Sequence, residues 1–112
     1  MISPTSTFTA LGPTVALAVT ATSQTVDPGS SWYEGTGSAV RVVNDGTQTV
    51  HLEFGKSGTT PTATVAVSGG AAGSMPIKAG MTETFGFPPG GVLAAIAAST
   101  GSTIYVTPGE GV

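Results

Sequence analysis

The chain has 112 residues, a net charge of −3 and only 8% charged residues, against about 25% in an ordinary soluble domain. Its length fits one domain with a single core. The three basic residues, Arg41, Lys56 and Lys78, are too few to neutralise a phosphate backbone, so we expect no nucleic-acid partner. The absence of cysteine excludes disulfides, zinc–cysteine sites and cysteine nucleophiles. No apolar run approaches the ~20 residues of a membrane span, so we also expect no membrane partner.

Apolar and β-branched runs recur about every 8–12 residues between Gly, Pro, Ser or Asn, which is typical of an all-β sandwich or barrel. The N-terminal residues 1–14 are expected to form an arm, followed by one β domain over residues 15–112. Residues 21–36 are expected to form a loop. We predict strands at Thr14–Thr20, Ala39–Val43, Thr49–Phe54, Thr62–Val67, Met75–Lys78, Met81–Phe87, Val92–Ala97 and Thr103–Thr107.

One hairpin is predicted in detail within AVRVVNDGTQTVHLEFG. A two-residue turn at Asp45 and Gly46 would set Val40 opposite His51, which places an apolar residue against a polar one. A three-residue loop over residues 44–46 sets Val40 opposite Val50 and gives Gly46 the left-handed position that such loops require. We therefore expect the three-residue loop. Four polar side chains then share the opposite face: Arg41, Thr49, His51 and Glu53.

The stretch GGVLAAIAAST is ambiguous, because its alanines favour a helix by propensity. Its short length, flanking glycines and β-branched residues favour a strand covered on both faces, and we predict the strand. Pro88 and Pro89 come just before it, in TETFGFPPGG. Proline cannot donate a ladder hydrogen bond, so this pair is expected to end the preceding strand. The main role of this pair is therefore to separate two strands, and any contact it makes is expected to be with a neighbouring subunit.

His51 and Glu53 are the one candidate for acid–base chemistry, since they lie two residues apart on one strand face. Such a pair can act as a base and the carboxylate that orients it. The chain has no nucleophile elbow beside them, so we interpret them as a polar row and expect no enzyme activity and no small-molecule substrate. One histidine and six scattered acids do not form a metal-binding cluster, and we expect no metal or cofactor.

Two further features are candidates for contact with a partner. Trp32 and Tyr33 form an aromatic pair outside any strand pattern. This pair fits local packing, a protein interface or a sugar-stacking platform. Glu110 lies in TPGEGV, which is expected to be a turn-like, exposed tail that settles on a neighbour.

Several motifs together resemble a group of small bacteriophage proteins encoded among virion structural genes. They are VRVVN, a strand ending in Phe-Gly, the stretch PIKAGMTETF, the tripeptide PPG and the C-terminal YVTPGEG. The resemblance covers roughly residues 38–112, and its motifs are structural rather than catalytic. Gly86 and Gly91 depart from it, because bulkier residues are expected at those positions. The matching segments are Val40–Asn44, Phe54–Gly55, Pro76–Phe85, Pro88–Gly90 and Tyr105–Gly111.

The resemblance implies a single antiparallel β-sandwich of about seven or eight short strands, jelly-roll-like in topology. It implies a capsid decoration (cement) protein on the outer surface of the virion, assembled in the host cytoplasm. The implied partners are the major capsid protein and further copies of the chain, as a homodimer or homotrimer. A head–tail adaptor, tail or fibre-base component is the alternative, and a glycan-binding module is a further one. The candidate interface residues are Trp32, Tyr33, Arg41, His51, Glu53, Pro88, Pro89 and Glu110.

Overall fold

The computed structural model describes residues 8–28, 38–56, 58–87 and 91–110. Within these ranges the chain forms nine β-strands and no helix. The strands are β1 Thr9–Ala10, β2 Val15–Val19, β3 Gln24–Val26, β4 Ser38–Gly46, β5 Val50–Gly55, β6 Met75–Ile77, β7 Thr82–Gly86, β8 Val92–Ala97 and β9 Ser102–Glu110.

The strands pair only with antiparallel neighbours and form two sheets. Sheet I has the order β1-β9-β4-β7, and β2 also pairs with β9. Sheet II has the order β3-β8-β5-β6. From β2 onward the chain changes sheet at every connection except the one from β5 to β6. This order is that of a jelly roll, in which eight strands fold as two Greek keys. The predicted all-β, jelly-roll-like sandwich is confirmed.

The core lies between the two sheets, where alternate residues of each strand face inward. On the side of β5 and β7, the Phe54 ring packs against Phe85 and Phe87, with centroid distances of 5.2 and 5.7 Å. The alanine-rich run is a strand, as predicted, and its small side chains are buried on both faces. The buried cluster consists of Val19, Val40, Val42, Val50, Leu52, Ile77, Phe87, Leu93, Ala95, Ala97, Ile104 and Val106.

The predicted hairpin over residues 44–46 is wrong. Strand β4 continues through Gly46 and pairs with β7 and β9, whereas β5 pairs with β6 and β8. Val40 and Val50 therefore belong to the same core but lie in opposite sheets. The hydrophobic alternation identifies which residues of β4 and β5 face the core. The same alternation is expected whether the two strands are neighbours in one sheet or belong to two sheets that pack face to face, so it does not distinguish these arrangements.

Asn44 is a buried strand residue, and it does not act as a loop residue. Its Nδ2 donates hydrogen bonds to the carbonyl oxygens of Gln48 and Ile77, both at 2.9 Å. Its backbone N–H donates to Met81 O at 2.9 Å, and its backbone oxygen accepts from Gly80 N at 2.9 Å. Asn44 thus joins the connection between β4 and β5 to the connection between β6 and β7.

The strand predicted at Thr62–Val67 is also absent, since that stretch pairs with no strand in the part of the chain described. Two short strands were not predicted. Strand β3 lies within the expected loop over residues 21–36, and β1 lies within the expected arm over residues 1–14. Strand β9 extends to Glu110, so the expected turn-like tail is a strand up to that residue.

Replacing Asn44 with alanine tests its role in joining the two sheets. In the Asn44→Ala variant, Ile77 O and Gln48 O each lose the hydrogen bond from Asn44 Nδ2, although Gln48 O keeps the one from the Ser102 hydroxyl. We expect a loss of about 2 kcal/mol in the free energy of unfolding. Urea denaturation measures this. The exposed neighbour Asp45 provides the control, since Asp45→Ala is expected to change stability by less than about 0.5 kcal/mol. Equal stability of the two variants would contradict the role of Asn44.

The strand glycines Gly46 and Gly86 provide a second, matched test of packing. A Cβ on Gly46 would collide with Gly101 O and Ser102 Cα, whereas a Cβ on Gly86 would meet no atom within 4 Å. We expect Gly46→Ala to lower the free energy of unfolding by about 2 kcal/mol, because backbone must move to make room. Gly86→Ala is expected to leave it unchanged or to raise it by about 0.5 kcal/mol. Thermal unfolding of both variants measures the difference, and the reverse order would contradict this packing.

Candidate interaction surfaces

The middle of the outer face of sheet II is covered by the chain itself. Residues 59–74, here called the covering segment, are held from both edges of the sheet. Ser23, one residue before β3, accepts a hydrogen bond from Ala63 N at 2.9 Å. Ser74, one residue before β6, accepts one from Thr64 N at 2.9 Å and donates its own N–H to Thr64 O. Ser23 lies beside one edge strand of sheet II, β3, and Ser74 beside the other, β6. The residues that they bind, Ala63 and Thr64, are neighbours in sequence and therefore lie over the middle of the sheet.

The covering segment also explains why two outward-facing residues of sheet II are buried. Ala94 lies between core residues of β8 and so faces outward, yet its surface is fully buried. His51 faces outward from β5, and only 8% of it is exposed. Its Nδ1 is buried without a hydrogen-bond partner among the described residues. Burial lowers the pKa of His51 below its usual value of 6.5, because a charged imidazole would lose its hydration there.

Glu53 and His51 point to the same side of β5, but no hydrogen bond joins them. The Glu53 carboxylate accepts a hydrogen bond from the Ser74 hydroxyl at 2.8 Å, so it helps to fasten the covering segment. Arg41 does not lie on this face, since it belongs to sheet I. The prediction that Arg41, Thr49, His51 and Glu53 share one face is therefore wrong, because β4 and β5 belong to different sheets.

In the described part of the chain, by contrast, no segment like the covering segment lies over the central strands of sheet I. The strand register places Tyr105 of β9 at its centre, and 38% of this side chain is exposed. The row through Tyr105 contains three uncharged residues: Ala16, Val43 and Thr82. Asp45 and Arg41 lie on β4 on either side of Val43. The row is therefore uncharged, with one aromatic ring at its centre, and one cation and one carboxylate lie beside it.

Arg41 lies toward the end of this face where the Phe8 ring packs on the sheet. Its guanidinium carbon lies 4.6 Å from the centre of the Phe8 ring, and its Nε donates to Thr84 Oγ1 at 3.3 Å. A Cβ on Gly109 would touch the Phe8 ring, so Phe8 lies over β9 as well. Glu110, at the end of β9, is paired in register with Thr9 and Ser38. Both of these candidate interface residues thus lie at the same end of sheet I.

The other candidate interface residues lie outside the described part of the chain. They are Trp32, Tyr33, Pro88 and Pro89.

A groove opens along the side of the sandwich where β5, β6 and β7 meet. It has a volume of about 420 Å³. Its lining is mainly apolar and comes from both sheets and from the end of the covering segment: Leu52, Glu53, Phe54, Gly73, Ser74, Met75, Phe85 and Gly86. Glu53 is the single charged side chain in this lining.

The sequence interpretation did not single out Tyr105 or the groove. For Tyr105 a signal was present, because the ring lies between Ile104 and Val106 and so occupies the outward phase of an alternating strand. The groove had no such signal, since it forms where a short β6 leaves part of β5 without a neighbour. That depends on the pairing of strands distant in sequence.

Within the described ranges, no group of three or more His, Asp or Glu residues is arranged to hold a metal ion. The same ranges contain no helix long and apolar enough to cross a membrane. Comparison of the chain with protein-family models, with curated proteins and with solved structures finds no match.

The buried His51 predicts a loss of stability in mild acid. Its pKa in the folded protein is below 6.5, so the unfolded chain binds the proton more readily as the pH falls through that value. The free energy of unfolding is therefore expected to fall between about pH 7.5 and about pH 5.5. The His51→Gln variant, which does not titrate there, should show a smaller fall. Urea denaturation at both pH values measures it, and an equal fall in both proteins would contradict the burial of a neutral His51.

Proposed function

We propose that this protein is a non-enzymatic structural component of a bacteriophage virion, and that it decorates the outer capsid shell. It binds the major capsid protein there and stabilises contacts between adjacent subunits. The resemblance of residues 38–112 to virion structural proteins motivates the proposal. The observation that carries it is the open outer face of sheet I, with Tyr105 at its centre.

This face has the properties of a protein interface. Tyrosine is enriched at the centres of interfaces, where charged residues are depleted. Around Tyr105 the row consists of small or uncharged side chains, so a partner can cover it without removing the hydration of many ions. The opposite sheet has no comparable open surface over its middle, because the covering segment lies on it.

The jelly roll itself is compatible with this role but does not prove it. The same architecture is found in viral capsid domains, in lectins and in cupins, so the fold alone does not assign a function. A decoration protein acts through many copies, and modest contacts that are repeated around a closed shell become strong together. A low-charge face of moderate size is sufficient for that purpose.

Counting the protein in purified virions tests the proposal directly. A stained gel calibrated against the major capsid protein gives the number of copies per particle. We expect hundreds of copies, in keeping with a shell component. About six to twelve copies would instead favour the alternative of a head–tail adaptor, tail or fibre-base protein, since those structures have low cyclic symmetry. Absence from the particle would contradict both.

A substitution at Tyr105 tests the face. In the Tyr105→Lys variant, binding to undecorated capsids must bury an ammonium group, and we expect affinity to fall at least about tenfold. The matched control is Val67→Lys in the covering segment, where 62% of the side chain is exposed. This variant should bind like the original protein in a co-sedimentation assay. Equal binding by both variants would remove sheet I from the proposed interface.

The glycan-binding alternative depends on Trp32 and Tyr33. A Trp32→Ala variant that binds the host cell surface as well as the original protein would remove this alternative.

A further inference from the structure

Strand β7 forms one edge of sheet I, and its second side pairs with no strand in the described part of the chain. In sheet II, β6 pairs with β5 only from Val50 to Leu52. The last three residues of β5, from Glu53 to Gly55, therefore have a strand neighbour only on the side of β8. Two incomplete strand edges, one from each sheet, thus border the same side of the sandwich.

The groove lies between these two edges, and its base is apolar. The rings of Phe54 and Phe85, 5.2 Å apart, form part of the base. Met75 forms one wall and is 40% exposed. Gly86 has no side chain to shield the end of β7, and no atom lies within 4 Å of where its Cβ would be. An apolar surface of this kind beside free strand edges is suited to an extended peptide.

The groove has a negative charge and no positive one among its lining residues. Glu53 lies in the lining and is exposed. Glu83 of β7 is paired with Val42, so it points to the same inner side as Phe85, and it is exposed at the edge. Since cross-strand partners share a face, a basic side chain opposite Glu83 on an added strand would lie near the Glu83 carboxylate.

We propose that this groove binds an extended segment of a partner protein, which adds as a strand to the free edge of β7. The segment inserts one bulky apolar side chain over Phe54 and Phe85, and it carries a Lys or Arg that pairs with Glu83. Backbone hydrogen bonds along β7 supply affinity, while the apolar side chain and the cation select the segment. This site is separate from the centre of the outer face of sheet I, and the inference does not depend on the proposed virion function.

The test uses a panel of synthetic nine-residue peptides and the full chain. Each peptide has the form Ser-Thr-Val-Thr-X-Thr-Lys-Thr-Ser, with Phe, Leu, Tyr or Val at X. Binding is followed by chemical-shift changes in the ¹⁵N-labelled protein. We expect saturable binding of at least one peptide, with a Kd of about 0.1 mM and with shifts at residues 82–86 and at the groove. Serine at X, or Glu in place of Lys, should weaken binding at least about fivefold.

Two methionines provide matched protein variants. Met75 lines the groove, whereas Met81 is 48% exposed and is not part of the lining. Met75→Asp places a carboxylate on the apolar wall, and we expect it to weaken peptide binding at least about tenfold. Met81→Asp should leave binding unchanged. Urea denaturation of both variants checks that each remains folded.

Three results would overturn the inference. They are the absence of saturable binding by every peptide, shifts confined to residues outside the groove and β7, and equal effects of Met75→Asp and Met81→Asp. The copy number of the protein in virions bears on none of these outcomes, so the two proposals fail independently.

Discussion

The fold depends on the hydrogen bonds of one buried side-chain amide. Asn44 Nδ2 donates both of its hydrogens to carbonyl oxygens, one at Gln48 in the connection from β4 to β5 and one at Ile77, the last residue of β6 before the chain crosses to β7. A buried carbonyl without a partner is costly, so these bonds hold the two crossings in one place. Ser102 supports the same region, since its hydroxyl donates to Gln48 O and accepts from Gln48 N. The strand order of the jelly roll requires both crossings.

The crossings leave the two sheets with different surroundings. From β2 onward, the connection from β5 to β6 is the only one that stays in its sheet, and it is long enough for residues 59–74 to lie across the middle of the outer face of sheet II. Polar groups that would otherwise face water, such as His51, are buried there. The described residues form no such cover over Tyr105, 38% of which is exposed. Within the described ranges, the middle of one outer face is therefore covered and the middle of the other is not.

Composition, spacing and resemblance were sufficient to predict the fold class and most strands, because alternation along β4, β5, β7 and β9 identifies residues that face a core. Alternation does not tell which sheet a strand belongs to, so Val40 and Val50 were wrongly placed side by side. Asn-Asp-Gly looked like a turn, because the sequence does not show the carbonyls that Asn44 binds. The stretch Thr62–Val67 alternates like a strand, but serine hydroxyls rather than a neighbouring strand bind Ala63 and Thr64. The groove could not be predicted either, because it depends on where β6 stops pairing with β5, and the sequence does not show which distant segments pair.

If the chain decorates a shell in many copies, as proposed above, it must limit pairing between its own free strand edges. Edge strands commonly do so with charges that point inward, because an approaching strand would have to cover them. Glu83 has this position on β7, on the inner side and exposed at the edge. Antiparallel pairing of two β7 strands would bring two such carboxylates near each other, which opposes self-association. A segment with a basic residue at the same place would be favoured instead, so the same charge would oppose self-pairing and favour the proposed partner segment.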